Sequence, residues 1–250
     1  ARARHALGMD PRARLQRGQE AAAAGRYEDA LRDYIWFHEH ALDHEPSLYG
    51  VRLSFALWYW MELANEYPEA RTALKRIRDG KTARLLNGDT DRALFHDVES
   101  INERLQSEEA TYELFAALDE AQPDFAAVCA DLAMPAIANA EDFEMARRYP
   151  PSPEETLSRY GEALNRDIEG LGHEPPSKAP RLEAYVQIYV RRVHLLLKIL
   201  RGNNEIPEAD ELRVRALELI KSQSVRDAVT DAIPASDASS APAEPRARRT

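Results

Sequence analysis

Apolar residues recur every three to four positions along most of the chain and never sustain an alternating pattern, so helices are predicted throughout and almost no sheet. Residues 11–24 carry Leu15 and the run Ala21–Ala24, with Asp10 as cap and Pro11 in the first turn. Gly25 is placed to end this helix in a left-handed conformation. Tyr27–His44 returns with Ala30, Leu31, Tyr34, Phe37, Ala41 and Leu42 on one broad face, and Pro46 stops it. Tyr49–Glu66 reads as one helix, apolar nearly all round, which predicts neighbours on several sides. Pro68–Arg78 follows with Ala70, Leu74 and Ile77 inward. Asp79-Gly80 is predicted to break it, and Asn87-Gly88-Asp89 marks a turn.

Asp91–Leu105, Glu108–Ala121 and Phe125–Asn139 continue the series, with Pro135 predicted to kink or split the last. Glu141–Arg148 and Pro153–Ile168, the latter capped by Ser152, come before a Gly- and Pro-rich stretch. Two further helices, Leu182–Leu200 and Pro207–Ala232, complete the pattern. The predicted organisation is a loose start (1–9), a helical repeat region (10–168), a linker (169–181) and a C-terminal helical pair (182–233). An Ala/Ser/Pro/Arg-rich tail (234–250) is predicted to be disordered.

A repeat underlies the first part. Tyr27 and Ala30 align with Tyr67 and Ala70 at an offset of forty residues. A third unit keeps Thr111, Phe115, Leu118 and Pro123, and Phe143 with Ala146 suggests a fourth. Helix pairs at a fixed period imply a stack in which each pair buries its apolar face on the next.

These residues resemble the tetratricopeptide repeat. Gly18 stands seven positions before the turn residue Gly25, Tyr27 supplies the aromatic two places after it, and Ala30 and Tyr34 fill the next signature places. The signature Trp, Leu and first Tyr are absent from the first unit, and the period is nearer forty than the family's 34. The resemblance covers about residues 11–148. It implies an all-α fold of antiparallel helix pairs, as an open solenoid or a closed helical array, with additional C-terminal helices. It also implies that a partner protein or peptide is bound in a groove lined by the first helix of each pair. Carried over by position, that groove presents Leu15, Gln19 and Ala22, then Arg52, Phe55, Tyr59 and Glu62, then His96, Ser100 and Glu103. Leu15 and Gln19 stand where chaperone-binding members hold a Lys/Asn clamp, so a chaperone tail is not the expected partner.

Charge sharpens the picture of the partner. The 250 residues carry a net charge of −10, but residues 1–17 are +4 and 234–250 are +1, leaving a body of −15. An acidic body repels nucleic acid and anionic membranes and suits a basic protein. An inhibitor or immunity-type protein that neutralises a basic enzyme is one form of this. No run of about 18 apolar residues is present, and no apolar signal core is seen. With Cys129 as the only cysteine, a cytoplasmic location is expected.

Chemistry-bearing clusters are few. His40 and His44 share a helix face and offer two zinc positions, but no third ligand lies nearby and the order is not His-Glu-x-x-His. Solvent-facing histidines favoured by a helix C-terminus account for them better. His96 and Asp97 are adjacent and point to different faces. No Gly-rich phosphate loop or Gly-x-Ser-x-Gly element occurs. No metal, cofactor or catalytic residue is therefore assigned, and an enzyme is not expected. The opposing reading, a helical enzyme or small-ligand-binding protein, places a polar pocket around His38, His40, His44 and Arg52.

Overall fold

The structure, a computed structural model, describes residues 10–149, 152–171 and 180–233. The predicted loose start, most of the predicted linker and the predicted tail lie outside these residues. Among the described residues every regular element is helical, as the periodicity requires. No helix among them is long and apolar enough to cross a membrane. The chain divides into two compact units, Ala1–Ala140 and Glu141–Thr250.

The first unit begins with α1 (Pro11–Ala23) and α2 (Tyr27–His44). Asp10 caps α1 by accepting from the amide of Arg12 at 2.9 Å. Gly25 takes φ +72°, and the Arg26 and Gly25 amides donate back to Ala21 and Ala22 at 2.9 and 3.0 Å. That is a Schellman end, which only a residue free of a Cβ adopts without strain. A short 3-10 turn (Pro46–Leu48) leads into α3 (Tyr49–Leu53), α4 (Phe55–Glu66), α5 (Pro68–Leu86), α6 (Arg92–Leu105), α7 (Glu108–Ala121) and α8 (Pro123–Asn139). Along this array each helix packs on its successor; α2, α4, α5 and α6 also pack on the helix after that, α1 reaches α4 and α3 reaches α6. The result is an all-α stack of antiparallel helix pairs.

The repeat residues hold the stack together. Ala30 and Ala70 are fully buried, and the Trp60 indole donates to the Ala70 carbonyl at 2.8 Å, tying α4 to α5. Tyr27 and Tyr67, equivalent positions of successive units, bring their ring centroids to 5.9 Å. Tyr34, Phe37 and Trp60 fill the centre of the first core. Gly18 lets α1 approach α2: a Cβ built there would lie 2.7 Å from the buried Tyr34 ring. Gly18→Ala is therefore expected to destabilise by about 1–3 kcal/mol through overpacking, against the gain of about 1 kcal/mol that alanine brings to an open helix site. A urea unfolding curve reads it. A rise in midpoint would show that Tyr34 yields freely.

Several boundaries differ from the sequence reading. Tyr49–Glu66 is not one helix. It is interrupted at Ser54 (φ −116°, ψ −86°), whose hydroxyl donates to the Gly50 carbonyl at 2.6 Å, the back-bonding that bends helices at serine. Asp79-Gly80 does not break α5, which runs on to Leu86. Gly80 costs that helix about 1 kcal/mol, offset by full burial of Leu85 and by the ion pair of Lys81 with Asp97 at 2.5 Å. Asn87-Gly88 is the turn, with Gly88 at φ +98°. Pro135 does not split α8, because Ala133, Ala136 and Ile137 are buried around it.

The second unit holds α9 (Phe143–Arg148), α10 (Pro153–Leu171), α11 (Pro180–Gly202), α12 (Ile206–Glu218) and α13 (Gln223–Ala232). A reciprocal Ser152–Glu155 capping box opens α10, with bonds of 3.2 and 3.3 Å. Residues 169–171 and 180–181, predicted as linker, are helical. The helix α10, grouped in the sequence reading with the repeats, packs on α11 and α12. The predicted Pro207–Ala232 helix is two helices. Between them the buried Asn165 side chain donates to the Leu219 carbonyl at 2.7 Å and accepts from the Lys221 amide at 3.0 Å. Those two bonds satisfy backbone groups that a continuous helix would have paired itself. Leu157, Tyr189, Val193, Leu197, Leu212 and Val229 form the core of this unit.

Candidate functional site

Of the ten residues predicted to share one groove, Leu15 is buried in the first core and the other nine fall in three places. The first is the outer side of α4. Its inner side is spent on Ala56, Leu57, Trp60, Leu63 and Ala64, all buried. Phe55, Trp58, Tyr59 and Glu62 stand at the i, i+3, i+4 and i+7 positions of the opposite stripe. Phe55 is 63% exposed and Trp58 47% exposed. The Trp58 and Tyr59 rings meet edge to face at 5.0 Å, so each holds the other in place. Beside them lies an open cleft of about 330 Å³ between α4, α1 and the start of α2. Gln19, Ala22, Tyr27 and the buried Tyr34 line it with Trp58 and Tyr59, and the exposed Glu62 and Glu66 give it a solvent-side rim. Neither rim carboxylate has an ion-pair or hydrogen-bond partner among the described residues.

Arg52 is elsewhere. It was expected to face the groove, but it is buried at 4% exposure and points into the junction of α2, α3 and α6. Its guanidinium forms a two-pronged pair with Asp97, whose second oxygen also accepts from Lys81 at 2.5 Å. One prong also reaches the His38 carbonyl at 3.3 Å. Burial alone would push the Asp97 carboxyl up, but Arg52 and Lys81 outweigh it and hold it below the usual carboxylate range. His38, grouped in the opposing reading with His40, His44 and Arg52 around a polar pocket, is buried against Trp60. Burial and then the Arg52 charge push its pKa down to about 3, so its imidazole is neutral. His40 and His44 are exposed, and Trp36 packs against both rings. No cluster of three metal-ligating side chains occurs among the described residues.

His96, Ser100 and Glu103 line a third place, a cleft of about 440 Å³ between α3, α6 and α8. Ser100, predicted to be open to the groove, is buried. The Tyr49 hydroxyl lies 2.9 Å from His96 Nδ1, and His96 Nε2 lies 4.0 Å from Glu99. Burial, with Glu103 nearby, pushes Glu99 up to about 7, and burial pushes His96 down. His96 and Asp97 do face different ways, one to Tyr49 and one to Arg52.

Trp58, Tyr49 and Glu99 are functional candidates that sequence reasoning did not select; Asp97 was set aside there as pointing away from His96, and His38 was placed in the opposing polar pocket. Only Trp58 carried a signal, its spacing of three from Phe55. The second unit has its own open cleft of about 600 Å³, lined by exposed carboxylates such as Glu208 and Glu211 with Leu157 and Val214. None of the polar residues lining it is buried. Comparison of the chain with family models, curated proteins and solved structures finds no match.

Proposed function

We propose that the first unit is a protein-interaction module that holds a partner protein or peptide on the outer face of α4. The single observation carrying this reading is the unsatisfied aromatic stripe Phe55-Trp58-Tyr59 beside an open cleft. Phe55 and Trp58 are large aromatics left in water beside the half-buried Tyr59, which costs solubility, and aromatics are the residue types that dominate binding energies at interfaces. The tetratricopeptide-like spacing around Gly18, Gly25, Tyr27 and Ala30 supports the same reading, since stacked helix pairs present such faces. Of the predicted contact residues, Gln19, Phe55, Tyr59 and Glu62 belong to it. Arg52, His96, Ser100 and Glu103 do not. An adaptor or inhibitor acting in the cytoplasm fits the single, buried Cys129 and the acidic body.

Capture of partners from native extract by the full chain, repeated with Trp58→Ala and Tyr59→Ala, tests the reading. Each variant should cost about 2 kcal/mol or more in affinity, because the pair is the centre of the face. Trp58→Ala should unfold near the midpoint of the unaltered protein, and Tyr59→Ala below it, because Tyr59 is half-buried against the first core. Equal recovery of every partner would remove this face from the reading. The Tyr49–His96 hydrogen bond, with Glu99 4.0 Å from the same ring in an open cleft, favours a second reading, a ligand-binding or acid–base site. Under it, Glu99→Gln would abolish a small-molecule activity while Trp58→Ala would spare it.

A further inference from the structure

We infer that the cleft beside Trp58 and Tyr59 takes one cationic side chain, a lysine or arginine, projecting from the partner; this rests on the interaction reading above. Three observations converge. The lining is rich in aromatics: Tyr27, Tyr34, Trp58 and Tyr59 all border the cleft. Its rim carries Glu62 and Glu66, which nothing in the described chain neutralises. Other aromatics are already covered by the chain's own cations: Arg14 sits 4.3 Å over the Trp36 ring and Arg192 sits 4.6 Å over Tyr160. No such cation covers Trp58 or Tyr59 among the described residues.

The chemistry follows from the geometry. A ring face is electrostatically negative and attracts a cation best where water is partly excluded. Two unpaired carboxylates at the rim add attraction, and they penalise an anionic or purely aliphatic occupant that would leave them unpaired. A space of about 330 Å³ accommodates one long side chain and is too small for a folded element. The acidic body extends the same preference by steering basic partners towards the face.

The test is a selection of peptides from a displayed random library on the full chain, followed by affinity measurements on the selected peptides as synthesised. Selected peptides should share a lysine or arginine at one position. Replacing that residue with norleucine, which keeps the length and removes the charge, should weaken binding about tenfold or more. Glu62→Gln combined with Glu66→Gln should produce a similar loss and flatten the salt dependence. Peptides that lose binding with Trp58→Ala but carry no basic residue, or that tolerate norleucine, would overturn the cationic anchor and leave the interaction reading in place. Failure to select any Trp58-dependent peptide would overturn both. A dimer in sedimentation that dissolves with Trp58→Ala would assign the face to a second copy of the chain and likewise overturn the proposal.

Discussion

Asp97→Ala is expected to destabilise the first unit by about 3–5 kcal/mol, which is most of the stability of an ordinary domain. The loss is not that of one ordinary salt bridge. Among the described residues Asp97 is the one carboxylate paired with both Arg52 and Lys81, and it is 4% exposed. Without it, Arg52 keeps its charge in a buried site, because guanidinium does not deprotonate. Lys81 is less confined and can turn towards water, so the cost concentrates on Arg52. The pair of variants separates these effects. Arg52→Met together with Asp97→Ala removes both buried charges, and it should recover a large part of the stability lost by Asp97→Ala alone. Urea unfolding of the three variants reads the difference. A double variant no better than the single one would show that packing, not the orphaned charge, sets the cost.

The second large effect concerns pH. Glu99 sits at about 7 when folded against an ordinary 4.5, so the folded unit holds a proton that the unfolded chain has already released. Its contribution is fully present below about pH 4.5 and is lost as pH rises to about 7, on the order of 3 kcal/mol in all. His38 runs the other way, at about 3 folded against 6.5. Its contribution is present above about pH 6.5 and is lost as pH falls towards 3. Between about pH 4.5 and 6.5 the two slopes oppose each other, and the unaltered protein should be nearly flat. The lowered His96 pKa adds to the direction set by His38, and the lowered Asp97 and Asp33 values act only at more acidic pH. Glu99→Gln should expose the histidine slope, with stability rising by about 1.4 kcal/mol per pH unit across that window. It should also raise stability at neutral pH and above. Unfolding midpoints across the window give the slope directly. Identical slopes in both proteins would contradict the assignment.

Much of the architecture was legible because it depends on local signals. Asp10 and Ser152 read as caps and act as caps, Gly25 reads as a left-handed stop and is one, and Asn87-Gly88 reads as a turn and is one. What could not be read depends on partners distant in sequence. Arg52 and Asp97 are 45 residues apart, and no local pattern distinguishes an arginine held by such a carboxylate from one in solvent. The continuation of α5 through Gly80 turns on the burial of Leu85 and the reach of Lys81, both fixed by neighbouring helices. The break between α12 and α13 is imposed by Asn165, on another helix. For α4 the difficulty was of another kind. A helix apolar on all sides has no preferred inward face, so Phe55 and Tyr59 were placed outward by repeat position and Trp58 was left with the core.

The most direct measurement is site-specific photo-crosslinking of the full chain in native extract, with a photoreactive phenylalanine analogue placed at Phe55 and, separately, at Leu86. The two sites are similarly exposed and apolar, 63% and 51%, and differ in lying on or off the aromatic stripe of α4. A discrete adduct from position 55, abolished by Trp58→Ala and absent from position 86, is the outcome required here. The same adducts from both positions, or from position 86 alone, would contradict the claim that this face holds the partner.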